Sequence, residues 1–502
     1  MKNNDVVKNI SFSILQQIIT IICGFIAPRF IIATYGSNVN GMIASITQFL
    51  GYITLLEAGI APVVKAALYK PIVNFDKEKI ERILKSAEHF FRTIAIVFIF
   101  YLIILCIAFP QFYSEQYSYT YTLSLVIIIA ISTFFEYFFG MTYSIYLQSI
   151  QKNYVVSAVK IVSKILNTIA IVVLVLNNCS IQIVKLASSI IFVISPLFLS
   201  FYVKKKFNIK LEKVKEKSVL ENKWAGFSQH IAAIIHDSVD IAVLTLFSNS
   251  LEVSVYSVYM LVINSIKNLC ISLSSGIDAW FGKIQAKNDN TKLNKSLRLY
   301  EFFYFSIVTF LFACTFVLEI PFVNVYTNGI TDVDYIRPMF AYTMILAQLV
   351  AAIRVPYTNI VLSAGHFKQT EKGAWIEAVL NVIISVILVQ NYGIIGVAIG
   401  TLIATTIRTC ELVIYSSKKI IKRKIFEIIK KVITMLVEIA IIFLITKLLQ
   451  FDLEITYLGW IKNAIFVVGI AIIIITIGNY LIYNKEIREL IDYLKRRIRK
   501  HG

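Results

Sequence analysis

Seven basic side chains sit inside long apolar stretches of this chain: Arg29, Lys160, Lys164, Lys185, Lys267, Arg354 and Arg408. An ionised group near the middle of a bilayer costs at least about 2.5–3.5 kcal/mol, so it faces a wet cavity or a partner. The chemistry such residues offer together is anion binding. A guanidinium presents a fork of donors and an ammonium a point charge, and both suit phosphate or pyrophosphate oxygens. Arg29, Lys160, Lys164, Lys267, Arg354 and Arg408 are therefore the candidate substrate-binding cations.

Each has a plainer reading as well. Arg408 and Glu411 stand three residues apart and can simply pair, while Lys185 lies close enough to a span end to snorkel. Lys160 and Lys164 share one helical face, open either to a cavity or to pairing with Glu136 or Glu377. Arg29, Lys267 and Arg354 have no acidic residue within four positions, which makes them the strongest candidates.

The opposite charge gathers in one stretch, where His236, Asp237 and Asp240 lie at helical spacing. With Glu57 they are the candidates for ion coupling, since carboxylate and imidazole chains carry protons or sodium in transporters. Their plainer role is salt bridging to a cation such as Lys267 or Arg29. Glu377 and Glu438 have no assigned role.

Catalytic constellations are absent: there is no phosphate-binding glycine loop, no Gly-x-Ser-x-Gly and no His-Glu-x-x-His. No enzyme activity, cofactor or metal site is expected. The six cysteines are scattered and read as small apolar residues.

The elements that position these groups are fourteen apolar stretches, each near the roughly 20 residues that a hydrocarbon core demands. The first seven are 10–34, 40–68, 92–110, 119–147, 154–177, 181–203 and 225–247. The others are 253–282, 299–320, 338–363, 370–391, 393–416, 427–449 and 458–482. Of 49 Lys and Arg, 39 fall in alternate gaps and at the two ends, against three in the opposite gaps. The positive-inside rule then puts both termini in the cytoplasm, as an even number of crossings requires. A mean hydropathy of +0.74 agrees. The net charge of +19 belongs to membrane-flanking loops facing anionic lipid, and nucleic acid is not expected as a partner.

The chain also resembles itself at an offset of about 214 residues. Lys79–Phe91 matches Lys292–Tyr304, with Glu88 against Glu301, and Asn167–Asn177 matches Asn381–Asn391. Six spans per repeat give parallel copies. The organisation expected is an all-α integral membrane protein of about 14 transmembrane helices. Residues 1–203 form an N-lobe, 204–224 a cytoplasmic linker and 225–416 a C-lobe. Residues 417–482 add a two-helix appendage and 483–502 a basic cytoplasmic tail. Segment 76–92, apolar along Ile80, Ile83, Leu84, Ala87 and Phe91, reads as a helix lying on the inner membrane surface. Under the offset, Arg354 falls opposite Gly140 and Lys164 opposite Ala378, so the cations are not a shared architectural feature.

Gly36 to Gly41, following Pro28-Arg29-Phe30, and the run Leu55-Leu-Glu-Ala-Gly-Ile60 resemble segments of polysaccharide transport proteins, the Wzx-like O-antigen and capsule flippases. Their wider multidrug/oligosaccharidyl-lipid/polysaccharide superfamily includes MurJ-like lipid II flippases and MATE drug exporters. The resemblance implies two six-helix lobes around a V-shaped cavity in the cytoplasmic membrane. It also implies a monomer that moves an undecaprenyl-pyrophosphate-linked oligosaccharide from the inner to the outer leaflet. Membrane lipids, and possible contacts with a glycan polymerase and glycosyltransferases, come with that reading. It places Arg29 where such flippases often carry a cavity arginine, and makes Glu57 the acidic position of the second motif. Ser274 to Asp278 keeps only Gly-Ile of that motif in the second half.

Overall fold

The computed structural model describes residues 3–57, 59–211, 227–274, 277–287, 289–449, 454–484 and 486–487. Most of the segment 204–224 and of the basic tail 483–502 lies outside them. Every regular element is helical among the described residues, and twelve helices are long and apolar enough to cross a membrane. The protein is a multi-pass, all-α membrane protein. The stretches 370–391 and 393–416 are two helices that fold back on each other at Gly393 (φ 53°, ψ −134°), where the Thr401 hydroxyl meets the Asn381 amide oxygen at 3.3 Å, and they count together as one among the twelve. The stretch 427–449 is helical too, but charged enough to fall outside that count. The twelve thus hold thirteen of the fourteen expected stretches, and 427–449 is the other.

Contacts divide the chain into two units, Met1–Ser254 and Val255–Gly502. The first opens with α1 (Asn3–Tyr35) and α2 (Ser37–Gly51). The apolar stretch 40–68 is broken rather than continuous: α2 is followed by the short α3 (Thr54–Glu57) and then α4 (Ile60–Val73). Gly59 makes the break at φ 83°, a left-handed conformation that a side chain would resist. A long α5 (Lys77–Phe112) follows, and α6 (Tyr119–Phe135) runs through a π-helical turn at Glu136–Gly140 into α7 (Met141–Ser149). The unit continues with α8 (Asn153–Leu176), α9 (Ile181–Phe207) and α10 (Phe227–Phe247).

Two features of this unit depart from a linear reading. Segment 76–92 does not form a separate surface helix; it is the start of the 36-residue α5. Its apolar face is covered by protein, with Ile83, Leu84, Ala87 and Phe91 all essentially inaccessible. The other feature is a polar seam that ties α10, and Ser254 just beyond it in the chain, to α2. Ser45 and Thr245 hydroxyls meet at 2.7 Å, the Tyr52 hydroxyl donates to the Ser238 carbonyl at 2.9 Å, and Asn40 donates to Ser254 at 2.9 Å. Hydroxyl and amide pairs of this kind hold helices together where lipid removes the hydrophobic incentive.

The second unit contains most of α11 (Ser250–Leu273), then α12 (Ile277–Gln285), α13 (Asn290–Tyr326), α14 (Pro338–Ser363) and the folded-back pair α15 (Phe367–Tyr415). A π-helical turn, Ser416–Ile421, leads to α16 (Phe426–Leu448) and α17 (Tyr457–Ile482). Local chemistry repeats between the units. Asp76 caps α5 by accepting from the Lys79 amide at 3.1 Å, and Asp289 caps α13 by accepting from Lys292 at 2.9 Å. Each cap satisfies an amide that its helix leaves without a partner.

A buried carboxylate on the same two helices follows the same logic with different partners. Glu88 takes Lys85 and Arg92 from its own helix, each at 2.9 Å. Glu301, fully inaccessible, takes a forked bond from Arg423 (2.9 and 2.6 Å) and one from Lys431 on α16 at 2.7 Å. The C-terminal helices are thus tied to α13 through charge. Breaking a buried ion pair from one side costs about 3–5 kcal/mol, since the remaining charge is stranded. Arg423→Gln with Lys431→Met is expected to lower the thermal unfolding midpoint of detergent-solubilised protein sharply. Adding Glu301→Gln should restore much of the loss, and no restoration would mean that the charges are not the tie.

Candidate functional site

Within the first unit, α1, α6, α7, α8 and α9 enclose a cavity of about 420 Å³. Its walls come from helical ladders. Gln16 and Thr20 face in from α1; Ser132, Glu136, Gly140 and Ser144 from the α6–π–α7 rod; Lys160, Ser163 and Lys164 from α8. From α9 come Phe192, Ser195, Pro196 and Leu199. Spacings of three and four keep each set on one helical face. Gly140 is required for closeness, because a Cβ there would lie 2.7 Å from the Pro196 Cβ. The lining is rich in hydroxyls and carries two ammonium groups against one carboxylate. Lys164 lies 5.5 Å from the Phe192 ring centre, a cation–π contact. Neither Lys160 nor Lys164 has an ion-pair partner among the described residues. Glu57 stands beside this wall, hydrogen-bonded to Tyr137 and within electrostatic range of Glu136.

In the second unit a groove of about 230 Å³ runs between α11 and α14. Lys267 and Ser274 line it from one side, Gln348, Arg354 and Asn359 from the other. Arg354 is held by Glu377 of α15 at 2.5 Å. Glu377 also lies 3.9 Å from Arg408, which reaches Glu411 at 2.6 Å and donates to the Thr370 carbonyl at 2.7 Å.

The structure therefore brings Lys160 together with Lys164, Lys267 with Arg354, and Arg354 with Arg408 through a shared carboxylate. Arg29, half-buried on α1, is not among the residues lining either space. On α10, His236 and Asp240 are buried while Asp237 is exposed. Asp240 lies within electrostatic range of Tyr52.

Sequence reasoning missed two groups. The hydroxyl ladder Ser132–Glu136–Gly140–Ser144 is legible as a four-residue period but was masked by the apolar residues around it. Glu319 on α13 is 1% exposed, and neither of its carboxylate oxygens has a hydrogen-bond partner among the described residues. No local signal marks it out.

The sequence matches no family model and no curated protein sequence. Solved structures do match. The lipid II flippase MurJ in an inward closed conformation aligns over 95% of this chain and 100% of that one, at TM-score 0.73 and 17% identity. An inward-facing multidrug resistance MATE family transporter of the MOP superfamily aligns over 84% and 99%, at 0.60 and 14%. A MATE in complex with MaD3S aligns over 82% and 95%, at 0.54 and 14%. These likenesses show the fold: a multi-pass helical membrane protein with the architecture of MurJ and the MATE transporters. The proteins it is shared with are transporters and flippases, not enzymes.

Glu377 serves two guanidiniums, so its removal strands both. Glu377→Gln is expected to cost about 3 kcal/mol or more of stability, read as a lower thermal unfolding midpoint. Glu411→Gln, at a carboxylate one-third exposed, should cost far less because Arg408 keeps Glu377 and the Thr370 carbonyl. Equal shifts for the two variants would contradict this ranking.

Proposed function

We propose that this protein is a flippase of the cell membrane. It carries an undecaprenyl-pyrophosphate-linked oligosaccharide from the inner to the outer leaflet by alternating access, for O-antigen or capsule synthesis. The observation that carries the reading is the basic lining of both spaces, Lys160 and Lys164 in one unit and Lys267 with Arg354 in the other. Ammonium and guanidinium donors match pyrophosphate oxygens, and hydroxyl-rich walls match sugars. A polyprenyl tail stays in lipid, which avoids the cost of enclosing it. The more extensive alignment with MurJ than with the MATE structures supports a lipid-linked cargo.

Lipid II is the second reading, since MurJ is named for it and its pyrophosphate would meet the same cations. Export of organic cations is disfavoured by the sign of the lining charge. Arg29, Lys160, Lys164, Lys267, Arg354 and Arg408 form the proposed substrate-binding set, and Glu57, His236, Asp237 and Asp240 the proposed coupling set. A glycan polymerase and glycosyltransferases are the proposed neighbours in the pathway.

Arg29→Ala and Lys267→Ala are expected to reduce surface polysaccharide severely at normal levels of membrane-inserted protein. Each lost charge-assisted hydrogen bond is worth about 1.5–3 kcal/mol, roughly ten- to a hundred-fold in affinity. Arg29→Lys should keep part of the activity, because charge survives while the fork does not. Efflux of cationic dyes with no polysaccharide defect on gene deletion would overturn the reading.

A further inference from the structure

The two units treat one corresponding place in opposite ways. Under the 214-residue offset Gly140 corresponds to Arg354, and Ser163 to Glu377. In the second unit these positions close on each other through the 2.5 Å ion pair of Arg354 and Glu377. In the first unit the same positions are a glycine and a serine, and the space between their helices is the 420 Å³ cavity. A carboxylate bound to cations on neighbouring helices fills one copy. The other copy has a serine at the carboxylate's position and carries its cations at two different positions, Lys160 and Lys164.

Lys160 and Lys164 flank Ser163 on the cavity face of α8. Their counterparts in the second unit are Ala374 and Ala378. Neither lysine is ion-paired among the described residues, and Lys185 of α9 adds a third positive charge within electrostatic range of Lys164. The lining's one carboxylate, Glu136, leaves one positive charge in excess. Unpaired ammonium groups inside spanning helices are costly unless something answers them. The volume lies within the usual range for small-molecule sites, and a π-helical turn in the wall is a frequent mark of function.

We infer that the cavity inside the first unit is a binding site for one phosphorylated sugar headgroup. Its phosphate takes the place that the Glu377 carboxylate takes in the second unit. Lys160 and Lys164 hold the phosphate oxygens. Ser132, Ser144 and Ser195 offer hydroxyls to the sugar, and Phe192 gives it an apolar face. In the second unit the Glu377 carboxylate already occupies the matching place, against Arg354. The inference rests on the transport reading only for the lipid carrier of that headgroup; the anion site stands on the cavity itself.

The test uses full-length protein in nanodiscs of uncharged lipid. Isothermal titration measures binding of N-acetylglucosamine 1-phosphate, with unphosphorylated N-acetylglucosamine as comparison. Undecaprenyl pyrophosphate added to the nanodisc serves as competitor. The phosphorylated sugar is expected to bind, and the neutral sugar at least tenfold more weakly. Lys160→Ala and Lys164→Ala should each weaken binding roughly tenfold or more, with Lys164→Arg close to wild type. Ser163→Glu, which installs the missing carboxylate between two intact lysines, should abolish binding without lowering the thermal unfolding midpoint. Competition by the lipid pyrophosphate identifies the carrier headgroup as the source of the ligand. Binding without such competition identifies a free sugar phosphate, which supports the site and counts against the flippase reading. Equal affinity for the neutral sugar, or unchanged affinity in Lys160→Ala with Lys164→Ala, overturns the proposal.

Discussion

Neutralising charge away from water is the constraint on which this structure depends. Three carboxylates buried among the helices each sit between two cations: Glu88 with Lys85 and Arg92, Glu301 with Arg423 and Lys431, and Glu377 with Arg354 and Arg408. A single partner satisfies only part of a carboxylate's bonding capacity, and two donors offset the loss of water more fully. The second of these ties α13 to α16, and the third ties α14 to α15. They do so where hydrophobic burial cannot, because lipid is as apolar as the side chains.

Breaks in the helices place polar groups where that constraint can be met. Gly59 interrupts an apolar run that would otherwise be one span, and Glu57 lies just before the break. The π-helical turn at Glu136–Gly140 shifts the register of the α6–α7 rod and keeps Glu136, Gly140 and Ser144 on the cavity wall. Gly140 lets that wall approach Pro196 of α9, and the approach closes one side of the cavity. Irregular backbone inside a membrane protein is tolerated where protein or an aqueous space covers it.

The two units share capping chemistry and a buried carboxylate at matching positions, and they differ in the charges that line their cavities. Arg354 and Glu377 lock together in one unit, while in the other Lys160 and Lys164 have no ion-pair partner among the described residues.

Much of this was legible in the sequence by itself. Span positions follow from the length of apolar runs, a property of consecutive residues that needs no partner. The placement of Lys160 and Lys164 on one face, and the pairing of Arg408 with Glu411, follow from helical spacing alone. The self-similarity that sets Glu88 against Glu301 was readable in the same way. The partners of Arg354 and Glu301 were not, since they lie 23, 122 and 130 residues away. Whether an arginine faces a carboxylate or a cavity depends on how each helix is rotated against its neighbours. That rotation is set by packing of all the helices at once, so only the tertiary structure decided which cations meet a carboxylate and which line a cavity.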